Sequence, residues 1–592
     1  AQGGLAVQGG RVFITGLNVH DQFMTIDADV TGPVADLVRL LRHPRVHLLD
    51  RRPIDLRDPS GSVTGHLRVV QLPLKHDLTV EEVRIEATGR LSRLHLTGIA
   101  AGEDLDQGNL DYTVNNEGLK LKGTAALGQI PTQILAEMDF RDGGPTQVLQ
   151  KVTLSGKATP AQLIRLGVAD GETLGGGPTT LHIVAQTRRN GRGDVTVKAD
   201  LAAAQLTLSD LNFRKKEGKW AEAELHLLTE HDKPVAIDSF HVEGEDIFAQ
   251  GSVRFAGGVA QTVRLARLKL GDATDFSGDI GIPRRAGEPW TARLSGRSID
   301  ASAQFAHDGK SPEKPQPPRP PWKVQANFDR VVLGEGGREV RRVSIDAESD
   351  GEVTRRGVLN GQTRSGAAFT LEIAPRTGGR HLSIETSDAG GLLWAAGVVN
   401  DMRGGKLVVA GDYDDRAAGH PLHGTSEVTD FRMQNAPALA KLLQIMTFYG
   451  MVDVLQGPGL GFSRLVVPFR MTGDVLDLTN ARAFSSSLGL TAKGRIDLAR
   501  RQMAIEGTIV PAYFFNTLLG EIPLVGRLFS PEQGGGVFAA TYSMKGPLDD
   551  PSVGVNPLAA LTPGFLRGLF DIFDHATPDS QPAPSTAPGG DR

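Results

Sequence analysis

The chain has 592 residues, too many for one compact core, because single cores stop growing at about 250–300 residues. Its 64 basic and 69 acidic residues are mixed along the chain and give a net charge of −5, which argues against nucleic acid as a partner. The absence of Cys excludes a disulfide framework, a thiolate metal site and a cysteine nucleophile, and it fits a compartment that oxidises thiols.

Apolar and polar residues alternate along the whole chain. A period of two places successive side chains on opposite faces of a strand, so the sheet has one apolar and one polar face. Short turns at 115–118, 189–191, 256–258 and 376–379 separate the runs, as in antiparallel hairpins. The apolar residues that we take as groove candidates are, in chain order, Val83, Ile85, Leu119, Leu121, Val195, Val197, Leu465, Val467, Phe469, Met471, Met503 and Ile505.

The predicted fold class is therefore mainly β: a long, curled antiparallel sheet, a half-pipe with an apolar interior groove, and a few short helices. The helices are predicted at 33–41, 160–166, 389–399, 436–455, 511–519 and 563–573. Pro160 follows Thr159, and a proline in the first turn of a helix loses no hydrogen bond. Asp388 is a predicted N-cap.

The predicted organisation follows from one Pro-rich stretch and one low-complexity tail. Residues 309–321 contain many prolines, which cannot lie in a central strand and favour an extended linker or loop. We expect a β-groove segment over 1–308, this linker or loop over 309–321, a second β-groove region with amphipathic helices over 322–575, and a disordered tail over 576–592.

The sequence shows neither a membrane-spanning run nor a signal peptide. No stretch reaches about 18 apolar residues, and the N-terminus has no charged region followed by an apolar one. The chain begins in the middle of a strand pattern, without Met. We therefore expect that an upstream piece, such as an anchor, has been removed.

Patterns that would indicate catalysis are weak. The segment 457–461 is rich in Gly but lacks the Lys-Ser/Thr ending of a phosphate loop. His43 and His47 are separated by Pro44, so they are better explained as solvated loop residues than as metal ligands. Neighbouring acids could serve glycoside hydrolysis, but they fit turns between strands better: Asp412, Asp414, Asp415, Asp549 and Asp550. We expect no enzyme activity, no cofactor and no metal.

The amount of apolar sheet face allows two interpretations. Alternation of this kind is what closed β-sandwich cores require, and the pattern alone favours such cores. Length argues for a trough, because about 25 strands at about 4.8 Å spacing would extend on the order of 120 Å. A few short helices could not cover that face, and open sheets of this size curl.

Two C-terminal segments are unusually apolar, and each leaves two interpretations open. The segment 511–529 could contact a membrane surface or close the groove end, or it could be a helix that covers the sheet. The segment 563–573 could contact a membrane or a partner, or pack on the sheet. Their membrane-contact candidates are Phe514, Phe515, Leu518, Leu519, Phe565, Leu569 and Phe570.

The order of several C-terminal motifs resembles the AsmA-like proteins, specifically the YhdP-type branch, of which TamB is a more distant relative. The motifs are Asp388 to Gly397 (DAGGLLWAAG), then 404–411, 429–443, 459–465, 488–498, 510–516, 520–526 and 542–551. The segments 30–41, 61–74 and 297–302 resemble that branch less closely. The resemblance covers nearly the whole chain. The chain is similar to the C-terminal half of such proteins, without their membrane anchor.

The resemblance implies a function and a place. It implies a periplasmic body anchored to the inner membrane in the full-length protein, which moves phospholipid between the inner and outer membranes of a Gram-negative envelope. The implied partners are phospholipids, both membranes and envelope proteins. An assembly factor or scaffold for outer-membrane proteins is the alternative, and a carbohydrate-active enzyme is a third. The family supplies no catalytic residues.

Overall fold

The computed structural model describes residues 4–19, 22–42, 56–74, 84–100, 102–285, 287–305, 320–445, 454–485, 488–511, 540–548 and 550–556. Strands account for 68% and helices for 8% of the structure. The predicted fold class is thus confirmed: the protein is mainly β, with a long antiparallel sheet that is not closed and a few short helices. The chain divides into two compact units, Ala1–Asp300 and Ala301–Arg592.

The first unit consists mainly of an antiparallel meander in which each strand pairs with the next one of the main sheet. Its strands are β1 (Ala6–Thr15), β2 (Phe23–Pro33), β3 (Arg57–Pro73), β4 (Arg84–Ala100), β5 (Glu103–Asn115), β6 (Gly118–Leu127), β7 (Ile130–Asp139), β8 (Val148–Ala158), β10 (Thr179–Arg188), β11 (Arg192–Asp200), β14 (Ala221–Glu230), β15 (Lys233–Gly244), β16 (Ile247–Ala256), β17 (Val259–Leu270), β18 (Thr274–Gly281) and β19 (Trp290–Asp300). A small separate sheet contains β9 (Leu174–Gly176), β12 (Ala204–Leu208) and β13 (Phe213–Lys215).

Two short helices of this unit begin where a strand of the main sheet ends. Helix α1 (Val34–Leu41) follows β2 directly, and α2 (Pro160–Arg165) follows β8. Thr159 and Gln162 form a capping box at the start of α2, with Pro160 in its first turn. These side chains satisfy amide groups that the first turn of a helix leaves unpaired, which explains why the chain leaves the sheet at this point.

The second unit repeats the meander. Its strands are β20 (Trp322–Gly334), β21 (Arg338–Ser349), β22 (Thr354–Gln362), β23 (Ala368–Arg376), β24 (Gly379–Thr386), β25 (Met402–Asp414), β26 (Leu422–Met433), β27 (Leu460–Thr472), β28 (Val475–Phe484), β29 (Leu488–Asp497), β30 (Gln502–Pro511), β31 (Ala540–Pro547) and β32 (Ser552–Asn556). Three helices accompany them: α3 (Ser302–Phe305), α4 (Ala389–Ala395) and α5 (Pro437–Ile445).

The helices predicted at 33–41, 160–166, 389–399 and 436–455 are found at these positions, with α4 shorter than predicted. Helix α4 starts after the predicted N-cap, since the Asp388 side chain accepts a hydrogen bond from the Gly391 amide. It ends early because Gly397, at φ +74°, leaves the helical region. Pro511 ends a strand and does not begin a helix. The rest of 511–519, the segment 563–573, most of the Pro-rich stretch and the tail lie outside the described residues.

Each unit has one long edge that carries helices and one that carries hairpin turns. We call the first edge the helix rim. In the first unit it is the set of strand ends at which α1, α2 and the small sheet lie, and in the second unit it is the set of strand ends at which α3, α4 and α5 lie. The turn rim is the opposite set of strand ends, for example the turns at 189–191 and 377–378. Antiparallel pairing of successive strands keeps each rim on one side of its unit.

Candidate functional site

Apolar residues of neighbouring strands stand opposite one another across the whole first unit. The registers join them into rows that run perpendicular to the strands. One row, from β2 to β19, consists of Val30, Gly65, Gly89, Tyr112, Leu121, Ala136, Val152, Ala185, Val195, Leu227, Ile237, Val253, Val263, Ile280 and Ala292. No charged residue interrupts it, so the apolar face of this unit is continuous.

The second unit has a row of the same kind across all thirteen of its strands. From β20 to β32 it consists of Val324, Ala347, Gly357, Ile373, Leu382, Gly411, Gly424, Phe469, Leu478, Gly494, Ile505, Met544 and Val553. Apolar side chains alternate with glycines along it. Each unit therefore presents its own unbroken apolar strip.

The other face of both sheets is polar and carries ion pairs between neighbouring strands. In the first unit Lys198 Nζ lies 3.2 Å from a Glu224 carboxylate oxygen, with both side chains more than half exposed. In the second unit Lys323 pairs with Glu348 at 3.1 Å. Exposed pairs of this kind contribute little to stability, but they show which face is in contact with water.

Burial changes along the strands in a regular way. At the helix rim the inward side chains are fully buried, as for Ala221, Ile247 and Leu270, which form one core cluster with side chains of the small sheet. Towards the middle of the same strands Leu227, Val253 and Val263 are only half-buried. The covering elements therefore keep water from the apolar side chains at the helix rim. We call the middle of the apolar face the midline; its side chains are shielded from water mainly by the side chains next to them on the sheet.

The groove candidates from the sequence fall on this face. Each of the eleven that the structure describes is half-buried: Ile85, Leu119, Leu121, Val195, Val197, Leu465, Val467, Phe469, Met471, Met503 and Ile505. Leu465 lies next to the helix-rim cluster of the second unit. Val83 and the membrane-contact candidates Phe514, Phe515, Leu518, Leu519, Phe565, Leu569 and Phe570 lie outside the described residues.

Aromatic rings on the apolar face lie over glycines of adjacent strands. The Tyr112 hydroxyl occupies the space that a Cβ at Gly65 or Gly89 would need. Tyr542 lies over Gly507 in the same way and donates a hydrogen bond of 2.7 Å to the carbonyl oxygen of Thr491. Burial raises the pKa of Tyr542 to about 12. The glycines thus allow large rings to lie flat on the sheet.

Helix α5 covers the apolar face at the last strands of the second unit. Leu442 and Leu443 are fully buried in a cluster that also contains Ala540 and Tyr542, and Val553 packs against it. Lys441 Nζ reaches the Asp550 carboxylate at 2.5 Å, beside β32. The apolar strip of this unit is therefore covered at β31 and β32.

A buried cation lies at the turn rim of the second unit. Arg380 is 5% exposed, and its guanidinium donates to the Asp415 carboxylate at 2.8–3.0 Å and to the Thr354 carbonyl oxygen at 3.0 Å. It also lies over the Tyr413 ring, 4.0 Å from the ring centroid. These hydrogen bonds hold the pKa of Asp415 below its usual value. In the sequence Asp415 is only one acid of a run, because its partner is 35 residues away.

Two of the other acids noted in the sequence, Asp412 and Asp550, have charged partners. Asp412 accepts hydrogen bonds from His381 at 2.7 Å and Arg376 at 3.0 Å, which lower its pKa. Asp550 pairs with Lys441, while Asp549 and both His43 and His47 lie outside the described residues. Within the described ranges no group of three or more His, Asp and Glu could hold a metal ion.

Two cavities, both partly open to solvent, lie away from the midline. One of about 530 Å³ is lined by residues at the ends of β2 and β3 and by Arg93, and another of about 280 Å³ surrounds the turn at 245–246. An open face does not form an enclosed pocket, so neither cavity marks the candidate site. In the part of the chain that the structure describes, no helix is long and apolar enough to cross a membrane.

Comparison with known proteins identifies no relative: no family model, no curated protein and no solved structure matches the chain. The candidate site therefore rests on the chain's own geometry, namely two apolar strips that are covered at the helix rim and half-exposed at the midline.

Proposed function

We propose that this protein is a non-enzymatic phospholipid carrier, whose apolar sheet face holds acyl chains. The observation that carries the proposal is the continuity of the apolar rows across each unit, combined with their half-burial at the midline. Water in contact with such a strip is unfavourable, and burying each lipid methylene contributes about 0.8 kcal/mol. A two-chain lipid could therefore bind without a dedicated pocket.

The rows also suggest how lipid would move. Neighbouring positions along a row are chemically alike, so an acyl chain can shift from one strand to the next at little cost in free energy. The polar face stays hydrated through its ion pairs. We propose further that the chain is an AsmA-like protein of the YhdP-type branch, acting in the periplasm between the inner and outer membranes; this rests on the motifs in the sequence.

The direct test is lipid extraction from the purified protein, followed by mass spectrometry. We expect phospholipid with two acyl chains, in amounts without a fixed stoichiometry, because a row offers many equivalent positions. Protein that is lipid-free after mild purification, and that takes up no lipid from vesicles, would contradict the proposal.

A matched pair of variants on β27 separates transport from folding. Val467 points to the apolar face and Val466 to the polar face, where it stands opposite Glu427 and Arg482. We expect Val467→Asp to lower lipid transfer between vesicles by about tenfold or more, since an uncompensated charge on an apolar surface is costly. Val466→Asp is the control and should transfer lipid normally. Equal loss in both variants would indicate a folding defect instead.

The rival function is an assembly factor that presents a strand edge to outer-membrane proteins. One observation favours it: all ten residues of β1 are exposed, including Val7, Val12 and Phe13. An exposed apolar edge strand can pair with an extended segment of another protein. Phe13 stands opposite Thr25 on the face away from the apolar rows. Phe13→Lys should abolish such pairing and leave lipid extraction unchanged, so the two functions can be separated.

A further inference from the structure

One arginine of the first unit stands at the end of the apolar alternation. Along β10 the inward positions are Leu181, Ile183, Ala185 and Thr187, and Arg189 follows in the turn between β10 and β11. The strand therefore becomes more polar towards the turn rim and ends in a cation. From Leu181 to Thr187 it spans about 20 Å, more than the roughly 15 Å that one acyl layer occupies in a bilayer.

Neutral groups hold Arg189 in position. Its guanidinium donates to the Gln147 side-chain oxygen at 2.8 and 3.1 Å and to the Arg141 carbonyl oxygen at 2.7 Å. The main chain adds to this, because the Arg189 amide donates to the Gln147 carbonyl oxygen at 2.9 Å and the Asn190 amide to that of Pro145 at 3.0 Å. The charged group is thus placed by the fold and remains exposed to solvent.

The charge of Arg189 differs from that of its neighbours in one respect. Arg141 pairs with Asp139, and Arg188 with Asp194 at 2.6 Å. Within the described residues, no carboxylate forms an ion pair with Arg189. Its positive charge is therefore available to an anion, and its Nη1 group, which has no acceptor within the described residues, can donate a charge-assisted hydrogen bond to a phosphate oxygen.

Charged side chains of both signs lie at the two rims of this unit. The helix rim carries exposed acids such as Asp210 and Glu245 beside basic side chains such as Lys219. The turn rim also carries exposed acids, among them Glu230 and Asp232. The attraction of a phosphate group to this turn therefore rests on the local charge of Arg189 and not on a difference between the rims.

We propose that Arg189 binds the phosphate of a phospholipid whose acyl chains lie on β8, β10 and β11, so that head groups leave the apolar face at the turn rim. This inference rests on the proposed function and adds an orientation to it. The acyl chains contact the midline residues, Arg189 contacts the phosphate, and the rest of the head group stays in water beyond the turn.

Binding of short-chain lipids to the intact chain tests the assignment. The probes are dihexanoylphosphatidylglycerol, dihexanoylglycerol, which lacks the phosphate, and inorganic phosphate. We expect Arg189→Gln to weaken binding of the phosphatidylglycerol about three- to fivefold, as for one exposed charge pair, and to leave dihexanoylglycerol unchanged. Arg192→Gln is the control: it removes the same charge from the same turn, but at a position that lies next to Glu230.

The outcomes separate this inference from the proposed function. If the unmodified protein binds neither lipid, the proposed function fails. If it binds both lipids and Arg189→Gln loses nothing, or if Arg192→Gln loses as much, only the head-group assignment is overturned. Displacement of the phosphatidylglycerol by an equal concentration of inorganic phosphate would show a site for free anions and would also overturn it.

Spin labels provide a second readout that does not depend on affinity. The chain contains no Cys, so Asn190→Cys at the turn rim and Ala203→Cys at the helix rim each give one labelling site. A nitroxide at 190 should broaden the ³¹P resonance of bound lipid more than a nitroxide at 203. The reverse order would place the head groups at the helix rim and contradict the proposal.

Discussion

The helix rim and the midline of the second unit contain the same kinds of residues in different surroundings. Leu442 and Leu443 of α5 are fully buried, together with Leu488 and Ile509 of the strands beneath. Leu359 and Leu371 lie at the midline of the same face and are only half-buried. The strands of both regions have the same alternation of apolar and polar residues. The two regions differ in what covers them. Apolar area at the midline is still in contact with water, so a bound lipid would gain free energy by burying that area.

The largest effect should come from a covered site, the buried ion pair at the turn rim. Arg380→Met leaves Asp415 without its main partner in a place that is 12% exposed. Removing one partner of a buried pair costs about 3–5 kcal/mol, so the free energy of unfolding should fall by about that amount in chemical denaturation. Arg376→Met, in an exposed pair with Asp412, is the control and should change little.

Core truncation compares the two regions directly. Leu443→Ala removes a fully buried side chain, and such changes cost about 2–5 kcal/mol. Leu371→Ala at the midline removes the same atoms from a half-exposed place, and we expect a loss of about 1 kcal/mol, because less apolar area is given back to water. Chemical denaturation of the lipid-free protein measures both.

Equal losses of stability in these two variants would contradict the difference between the midline and the helix rim. They would mean that the midline is packed as tightly as the helix rim, and the lipid proposal would lose its physical basis. Added lipid sharpens the test: it should raise the unfolding midpoint of the unmodified protein, since a ligand that binds only the folded state stabilises it. The increase should be smaller for Leu371→Ala than for Leu443→Ala.

Tyr542, at the border between the covered and uncovered regions, predicts a pH dependence. Its folded-state pKa of about 12 lies above the value of about 10 for an unfolded chain. The buried neutral hydroxyl thus contributes stability that is fully present below pH 10 and is lost as pH rises through 12. Tyr542→Phe should cost about 1 kcal/mol at pH 8 through the lost hydrogen bond to Thr491.

A denaturation series from pH 8 to pH 11.5 checks this prediction. Stability of the unmodified protein should decrease more steeply above pH 10 than that of Tyr542→Phe, so the two curves converge. Parallel curves would show that Tyr542 does not titrate differently in the folded and unfolded states. Other tyrosines and lysines titrate in the same range, but they are present in both proteins and contribute equally to both curves. The difference between the curves therefore reports the titration of Tyr542.

The sequence predicted those features that repeat with period two. Val195 and Val197 could be assigned to one face because alternation needs only local order. The rows, however, require the register between strands, and a slip of one residue would reverse every side chain. The opposition of Val195 to Ala185 and Leu227 follows from turn lengths and bulges that the pattern does not specify.

Contacts between distant residues could not be predicted. Arg380 lies on β24 and Asp415 in the turn after β25, and the sequence alone made Asp415 one acid in a run. The small sheet of β9, β12 and β13 was missed because its strands have three to five residues, too few for a period to be recognised. The sequence pattern gave no role to Gly65 and Gly89, which the structure uses to accommodate the Tyr112 ring.

The smallest effect is expected on the polar face, which provides a reference for both apolar regions. Lys198 and Glu224 form an exposed pair opposite Val197 and Leu225 on the same strands. A double-mutant cycle with Lys198→Met and Glu224→Gln should give a coupling energy below about 1 kcal/mol, which disappears in high salt. Lipid transfer by these variants should be normal. A loss of transfer would mean that lipid also contacts the polar face, and the one-sided distribution of apolar rows would then no longer explain where it binds.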